Sequence, residues 1–392
     1  MRIDRIEARA IPDTRGRLTI EATITSDGLG ATASVPSGKS TGEHEALELD
    51  AAQAVENVNG KISTAITGRE FNSLDALDTF LIELDGTPNK SRLGANAILS
   101  VSIAATRLSA LQEDVPLWKA VAKRASTIPS APRLFVNVMN GGVHADFRLP
   151  FQEYMLVVEG KTSSALPIAQ EAFAKLGEWL DAGVPMGDEG GYAPSFDTLE
   201  QPFELLAELV GEFPGTSIAI DAAASELFRN SMYQLLGKTY TADELSRVYE
   251  NLVTHFPMHS IEDPFDEESA DDFARLTATL GTGRILIVGD DLTVTNPARI
   301  RDVAAHKAVN AVLIKPNQIG TVREAILAVQ ATRSAGWEVI CSHRSGETSD
   351  TFIADFAYGI GAHGIKAGGL AQRERLLKYE RLLAIEREAE TV

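Results

Sequence analysis

Short apolar segments recur through the second half of the chain, and each ends abruptly at a charged or polar residue. From residue 218 onward the residues that end these segments are, in order, Asp221, Glu262, Asp290, Lys315, His343 and Lys366. Neighbouring members are 23 to 41 residues apart, about the length of one strand, one helix and two loops. Helix-like segments lie between them, such as ADDFARLTATL (270–280) and TVREAILAVQATRSAG (321–336). The pattern predicts a run of parallel βα units.

An open doubly wound sheet and a closed barrel both fit this rhythm. The barrel is favoured because six successive units carry a polar residue at the carboxyl end of the strand, and in a barrel those ends meet at one mouth. An open sheet would spread them along an edge. No G-x-G-x-x-G motif follows an early strand to indicate dinucleotide binding.

The first third of the chain has a different pattern. The segment RLTIEATIT (17–25) alternates loosely between apolar and polar residues, which predicts strands of a small sheet. Helical periodicity follows over residues 43–58 and 96–112. The Ser/Pro-rich segment ASTIPSAPR (125–133) is the best candidate boundary. We therefore predict an α/β protein with an N-terminal α+β capping domain (1–126) and a C-terminal (β/α)8-type barrel (133–392).

Composition narrows the classes of function. The 392 residues are 44% hydrophobic and 23% charged, as in ordinary globular proteins. A formal net charge of −19 argues against nucleic acid or anionic membrane as a partner. No apolar run approaches the ~18 residues of a membrane span. The charged N-terminus does not resemble a secretory signal, and the single cysteine, Cys341, excludes an intramolecular disulfide. We expect a cytoplasmic protein.

Three carboxylates, Asp221, Glu262 and Asp290, end successive strands of the predicted barrel. Carboxylates brought together repel one another and resist ionisation unless a cation lies among them. Oxygen ligands suit a hard divalent ion such as Mg²⁺. The alternative is that each acid is an isolated cap or ion-pair partner, but three acids in register favour the metal site.

Cations occupy the strand ends that follow. Lys315 and Lys366 either neutralise the acids as structural partners or act in catalysis. A metal ion and a second lysine are expected to lower the pKa of Lys315 and make a neutral amine available as a base. Arg344 offers a planar fork that matches phosphate or carboxylate. Such a site suits removal of a weakly acidic proton next to a carboxylate.

Eight segments resemble the enolase family, and they occur in the family's order from near one end of the chain to the other. They are SVPSGKSTGEHEALEL (34–49), NVMNGGVHAD (137–146), FQEYM (151–155), GDEGGYAP (187–194), SIEDPF (260–265), GDDLTVTNP (289–297), KPNQIGT (315–321) and SHRSGET (342–348). The resemblance implies Mg²⁺-dependent dehydration of 2-phosphoglycerate to phosphoenolpyruvate. It also implies a mobile loop over the active site, formed by the first of these segments.

The resemblance assigns a role to each matched position. Lys315 is implied as the general base, and Glu189 as the general acid with support from Glu153. His343 belongs to the same catalytic group. The residues implied to contact the small phosphorylated substrate are His144, Gln152, Arg344, Ser345 and Lys366. The residues implied to bind two Mg²⁺ ions are Asp221, Glu262 and Asp290 for the first and Ser40 for the second, which arrives with the substrate.

Three segments depart from the family pattern. DTRGRLT (13–19) lacks the usual Asn-Pro in a region that commonly contacts the partner subunit, which weakens the implied homodimer or higher homo-oligomer. SGKST places Lys39 where the family usually has alanine, and AGGL (367–370) alters the rim of the pocket. Two alternatives remain open: a diverged paralogue acting on a related phosphorylated hydroxy acid, and a relative used only for binding or structure. The second would be expected to lack a base, acid or metal ligand.

Overall fold

The N-terminal part of the protein is a small antiparallel sheet covered by helices. The computed structural model describes residues 1–39, 42–283 and 285–391. The sheet has the order β1-β2-β3, with strands Arg5–Pro12, Leu18–Ser26 and Leu29–Ser34. Alternation along β2 buries Ile20, Ala22 and Ile24 completely, which confirms the predicted strands. This sheet packs against a long helix, α4 (Ala95–Gln112).

Five α-helices accompany this sheet among the described N-terminal residues. They are α1 (Ala51–Asn57), α2 (Ser63–Ile66), α3 (Leu74–Asp85), α4 (Ala95–Gln112) and α5 (Leu117–Ala125), and a π-helical turn (Val58–Ile62) joins the first two. The predicted helix over 96–112 is confirmed. The prediction for 43–58 is wrong in its first half, because the helix begins only at Ala51, with Asp50 as its N-cap. Upstream, the amides of Ala46 and Leu47 bond to distant carbonyls, so tertiary contacts replace the helical hydrogen bonds.

The second part of the chain forms a closed barrel, which has eight strands in the described residues. The strand order is β10-β11-β12-β13-β14-β4-β5-β6. The strands are β4 (Arg133–Asn140), β5 (Glu153–Val158), β6 (Thr216–Asp221), β10 (Met258–Glu262), β11 (Leu286–Gly289), β12 (Ala311–Ile314), β13 (Glu338–Ser342) and β14 (Gly364–Gly368). Apolar side chains such as Phe135, Val288 and Leu313 form one of the buried clusters. The predicted barrel with an N-terminal cap is confirmed.

Helices separate the strands from β5 onward. They are α6 (Thr162–Trp179), α7 (Gln201–Glu212), α8 (Ala242–His255), α9 (Ala270–Leu280), α10 (Pro297–His306), α11 (Pro316–Ile319), α12 (Val322–Ser334), α13 (Phe352–Ile360) and α14 (Arg373–Thr391). A separate small sheet contains β7 (Phe228–Arg229), β8 (Met232–Leu235) and β9 (Lys238–Tyr240). In the described parts of the chain, we find no helix with the length and apolar character needed to cross a membrane.

One barrel strand runs against the others. β5 pairs antiparallel with both β4 and β6, whereas the pairs from β6 through β14 and on to β4 are parallel. The connection from β4 to β5, residues 141–152, contains only a 3₁₀ turn (Gly142–Ala145) in place of the crossover helix that a parallel pair uses. The reversal places Glu153, the first residue of β5, beside Asp221, the last residue of β6. An acid at the start of one strand therefore joins the acids at the ends of the others.

Candidate active site

The mouth of the barrel contains a polar cleft of about 430 Å³. Among the predicted site residues that the structure describes, all but Glu262 line it: His144, Gln152, Glu153, Glu189, Asp221, Asp290, Lys315, His343, Arg344, Ser345 and Lys366. Glu262 is buried and bonded to Lys366. Ser40, the remaining predicted metal ligand, lies outside the described residues. The strand-end pattern and the motif segments thus predicted side chains that share one cleft.

Lys366 lies at the centre of a cluster of acids. Its Nζ atom is 3.0 Å from Glu153 Oε1, 3.0 Å from Asp221 Oδ2 and 2.9 Å from Glu262 Oε1. Neighbouring strands impose this arrangement, since Glu262 is in register with Asp221 on β6. Burial opposes the charged form of Lys366, but the surrounding carboxylates outweigh it and raise the pKa of this lysine well above its ordinary value. One ammonium therefore contacts acids from three strands and offsets part of their charge.

Lys315 is paired with Asp290, the third of the strand-end acids predicted to bind a metal ion. Its Nζ atom donates to Asp290 Oδ2, and Gln318 Nε2 donates to the other oxygen of Asp290 at 2.9 Å. Burial acts to lower the pKa of Lys315, but the Asp290 carboxylate offsets it, so this pKa is raised. The sequence-based expectation of a lowered pKa refers to Lys315 beside a bound metal ion, and it stays a prediction. A neutral Lys315 requires Asp290 to be engaged elsewhere.

The acid cluster fits a divalent cation. Burial and the charge of Asp221 raise the pKa of Glu262 well above its ordinary value, because carboxylates crowd together without water. Within the part of the chain that the structure describes, there are two groups of side chains that could hold a metal ion. In each group the possible ligand atoms lie within 4.8 Å of one another. One group is His144, Glu153 and Glu189, and the other is Asp263, Asp290 and Asp291. In the predicted set, Lys366 contacts Asp221 and Glu262, whereas Lys315 contacts Asp290. A hard divalent cation would offset the negative charge of the same carboxylates that the two ammonium groups contact.

A second group of side chains surrounds Glu189. His144 Nδ1 is 3.3 Å from Glu189 Oε1 and His343 Nε2 is 3.9 Å from the same oxygen. Asn137 Nδ2 donates to Glu189 Oε2 at 3.1 Å. Burial and the charge of Glu189 raise the pKa of Glu153 well above its ordinary value. Burial acts to raise the pKa of Glu189, but His144 and His343 outweigh it and hold this pKa well below its ordinary value. Of the two neighbouring carboxyls, Glu153 is therefore the one that favours the protonated form.

Several buried polar atoms around this group have no hydrogen-bond partner among the described residues. They include His144 Nε2, Gln152 Oε1 and Glu153 Oε2. A buried polar group normally has a partner, since losing one costs ~1–3 kcal/mol. These atoms line the cleft, so their arrangement suits a polar ligand.

Arg344 and Ser345 form the cationic side of the cleft. The guanidinium of Arg344 forms a two-pronged contact with Glu45, with Nη1 to Oε2 at 2.9 Å and Nη2 to Oε1 at 3.1 Å. Arg15 Nη1 donates to Ser345 Oγ at 3.3 Å. The planar fork of Arg344 matches an oxyanion, and Glu45 occupies it here. A phosphate binding to this fork must therefore displace or share the Glu45 contact.

Lys39, the unusual cation of the N-terminal loop, reaches across to the barrel. Its Nζ atom is 2.6 Å from Asp188 Oδ2 and 3.0 Å from the carbonyl of Val143. Both partners belong to barrel segments that also carry site residues, His144 and Glu189. Both charged side chains of the pair are 33% exposed. Lys39 therefore connects the N-terminal loop to the rim of the cleft instead of pointing into it.

Sequence reasoning missed four residues that shape the site. Glu45 and Gln318 lie inside matched segments but were given no role. Asp263 follows Glu262 and accepts the backbone N–H groups of Asp290 and Asp291 at 2.9 and 2.8 Å. Arg375 lies on α14 and is fully buried against His343. The SIEDPF segment contained a signal for Asp263, whereas nothing local distinguished Arg375 from a surface arginine.

Comparison with known proteins agrees with this geometry. The family model described as the enolase C-terminal TIM barrel domain matches residues 128–391, and the enolase N-terminal domain model matches residues 3–121. An enolase of Methanopyrus kandleri is 44% identical over 98% of this chain and 95% of its own length. An enolase of Methanocaldococcus jannaschii is 43% identical, with 98% and 94% covered. An enolase of Acidothermus cellulolyticus is 44% identical, with the same coverage. The chain belongs to the enolase family.

Proposed function

We propose that this chain catalyses the enolase reaction, the reversible dehydration of 2-phosphoglycerate to phosphoenolpyruvate, in the cleft at the barrel mouth. The observation that carries the proposal is that Lys315, the carboxyls of Glu153 and Glu189, and the guanidinium of Arg344 line one cleft. Full-length similarity to enolases supports the same conclusion.

Lys315 is the proposed base that removes the proton from C2 of the substrate. In the described arrangement it is an ammonium held by Asp290. Asp290 is also a proposed metal ligand, and a cation held there would compete with Lys315 for the carboxylate and would lower the pKa of the lysine. The nearby cations Lys366 and Arg344 oppose a further positive charge on Lys315 and so favour its neutral amine. The amine then accepts the C2 proton.

Glu189 and Glu153 are the proposed acid pair. Loss of the C3 hydroxyl needs a proton, because hydroxide is a poor leaving group. The proton that the pair retains passes to this oxygen, and water departs. His144 and His343 face Glu189 and hold it in place. Arg344 and Ser345 are proposed to bind the phosphate, and Gln152 contributes an unpartnered oxygen to the pocket wall.

The acids fit a divalent metal, and the family implies one. We propose Mg²⁺, two ions per site, with Asp221, Glu262 and Asp290 holding the first and Ser40 contributing to the second. When bound, the metal would supply positive charge that offsets the negative charge developing as the C2 proton leaves. We also propose a homodimer, a cytoplasmic location and a domain boundary between residues 126 and 133, which are the family-based and sequence-based expectations.

The test is turnover of 2-phosphoglycerate with MgCl₂, followed by the absorbance of phosphoenolpyruvate. The parent protein is expected to be active, and Lys315→Ala is expected to lose turnover by about 10²-fold or more, because a proton-transfer group contributes about 10²- to 10⁴-fold. Metal binding by Lys315→Ala, measured by calorimetry, should persist. No turnover by folded parent protein would refute the proposal and leave a diverged paralogue or a non-catalytic relative. An active Lys315→Ala would refute the assignment of the base.

A further inference from the structure

Arg375, near the start of α14, is a buried arginine outside all the roles proposed above. Its side chain has no exposed surface. Its guanidinium donates to five acceptors: Gln372 Oε1 at 2.6 Å, His343 Nδ1, and the carbonyls of Arg344 at 3.3 Å, Asp188 at 3.1 Å and Ser345 at 2.9 Å. A guanidinium has five N–H donors, so the site satisfies all of them. Because every N–H donor has an acceptor, the surrounding residues form a specific binding position for this guanidinium.

The contacts of Arg375 join segments that carry different parts of the site. Three acceptors belong to residues 343–345, which follow β13 and include the arginine fork. Another is the carbonyl of Asp188, the residue before the acid Glu189. Gly368 leaves room for this, since it has φ of +85° and a Cβ there would overlap the Arg375 side chain. The guanidinium thus fixes the phosphate side of the cleft relative to the acid side.

The contact with His343 also fixes a hydrogen position. A guanidinium donates hydrogen bonds and never accepts them. Nδ1 of His343 must therefore be an acceptor without a hydrogen, and in the neutral ring the hydrogen is on Nε2. Nε2 is the atom that faces Glu189, at 3.9 Å from Oε1. Burial and the charge of Arg375 hold the pKa of His343 well below its ordinary value, so the ring is neutral and its tautomer matters.

We propose that Arg375 is a positioning residue that fixes His343 as the tautomer with its hydrogen on Nε2, directed toward Glu189. The consequence for turnover rests on the proposed function, whereas the tautomer itself does not. In this arrangement His343 donates toward the acid pair or toward a ligand oxygen between them. With the other tautomer the same ring would present a lone pair to Glu189, which repels the carboxylate.

The first experiment observes the tautomer in the parent protein. Histidine labelled with ¹⁵N is incorporated, and the seven histidines are distinguished with His343→Gln as the assignment variant. The expected spectrum at neutral pH shows Nδ1 of His343 as an unprotonated nitrogen and Nε2 as a protonated one. A protonated Nδ1, in either the other tautomer or the imidazolium, would overturn the proposal. This measurement needs no catalytic activity, so it stays informative if the proposed function fails.

The second experiment disturbs Arg375. Arg375→Met removes the donor. If that variant does not fold, Gly368→Ala is used instead, because the added Cβ would displace the Arg375 guanidinium. Gly86→Ala is the matched control, because Gly86 also has positive φ and a Cβ there would contact the Arg92 guanidinium, away from the cleft. We expect mixed tautomers at His343 and a loss of kcat of about 10- to 100-fold in the Arg375 or Gly368 variant. The control should keep both properties. A folded variant with the parent tautomer and parent kcat would refute the role.

Discussion

Replacement of Lys366 by methionine tests whether this lysine and the metal serve the same acids. The change keeps most of the side-chain volume and removes the ammonium that lies 2.9–3.0 Å from oxygens of Glu153, Asp221 and Glu262. All four side chains are buried. In the absence of divalent metal, the variant therefore has carboxylates in the cleft without their shared cation.

The expected loss is large because the acids are buried. Removing one partner of a buried ion pair costs about 3–5 kcal/mol. Unfolding entropy scales at about 2 cal/mol/K per residue near 60 °C, so for a chain of 392 residues this loss corresponds to a decrease in Tm of about 4–6 °C. Protonation of Glu153 and Glu262, whose pKa values burial already raises, keeps the loss from exceeding this range.

The assay is thermal unfolding in EDTA and in excess MgCl₂. The matched control is Lys378→Met, because Lys378 is also fully buried and its Nζ atom is 2.7 Å from Glu347 Oε2, outside the predicted metal ligands. Both variants should lose Tm in EDTA. Added Mg²⁺ should reduce the deficit of Lys366→Met and leave that of Lys378→Met in place. The reasoning is refuted if Lys366→Met is as stable as the parent in EDTA, or if Mg²⁺ changes both deficits equally.

Two further predictions concern the loop contact and the base of the barrel. Lys39→Ala and Asp188→Asn should each raise hydrogen exchange of residues 36–39 by at most about five-fold, because a part-exposed pair contributes ~1 kcal/mol or less; additive effects in the double variant would contradict the contact. His259 and His363 lie with their Nε2 atoms 3.2 Å apart, and burial lowers the pKa of each from 6.5 to about 4. The unfolded chain takes up protons first, so stability should be full above pH 6.5 and fall toward pH 4 by up to about 3 kcal/mol per histidine. His259→Phe should flatten this decline in urea unfolding, and an equal effect from the exposed His306→Gln would refute the explanation.

Strand ends could be predicted from the sequence because the local pattern and the tertiary fold agree there. Each apolar run of the second half became a barrel strand, and the residue that ended it faces the cleft or its buried edge. The helix predicted over 43–58 fails in its first half because the backbone of Ala46 and Leu47 finds partners far away in the chain. Periodicity describes the preferences of a segment and contains no information about such distant acceptors.

The predicted site was incomplete for the same reason. Glu45 and Arg344 are 299 positions apart in sequence, and only folding shows that their side chains form a two-pronged contact. Arg375 belongs to a charged helix, where arginine is usually solvated. Its complete burial depends on carbonyls of residues 188, 344 and 345 that turn toward it. Backbone acceptors have no signature in the sequence, so a position built from them cannot be recognised there.

The reversed strand β5 has a consequence for where the chain tolerates change. Its first residue, Glu153, is at the cleft, and its last, Val158, is at the opposite end of the barrel. Lengthening the connection over residues 141–152 would therefore displace two site residues, His144 within the connection and Glu153 directly after it. The turn of residues 159–161 joins β5 to α6 far from the chemistry. A protein engineer seeking to insert a tag or a foreign segment near this strand should choose that turn.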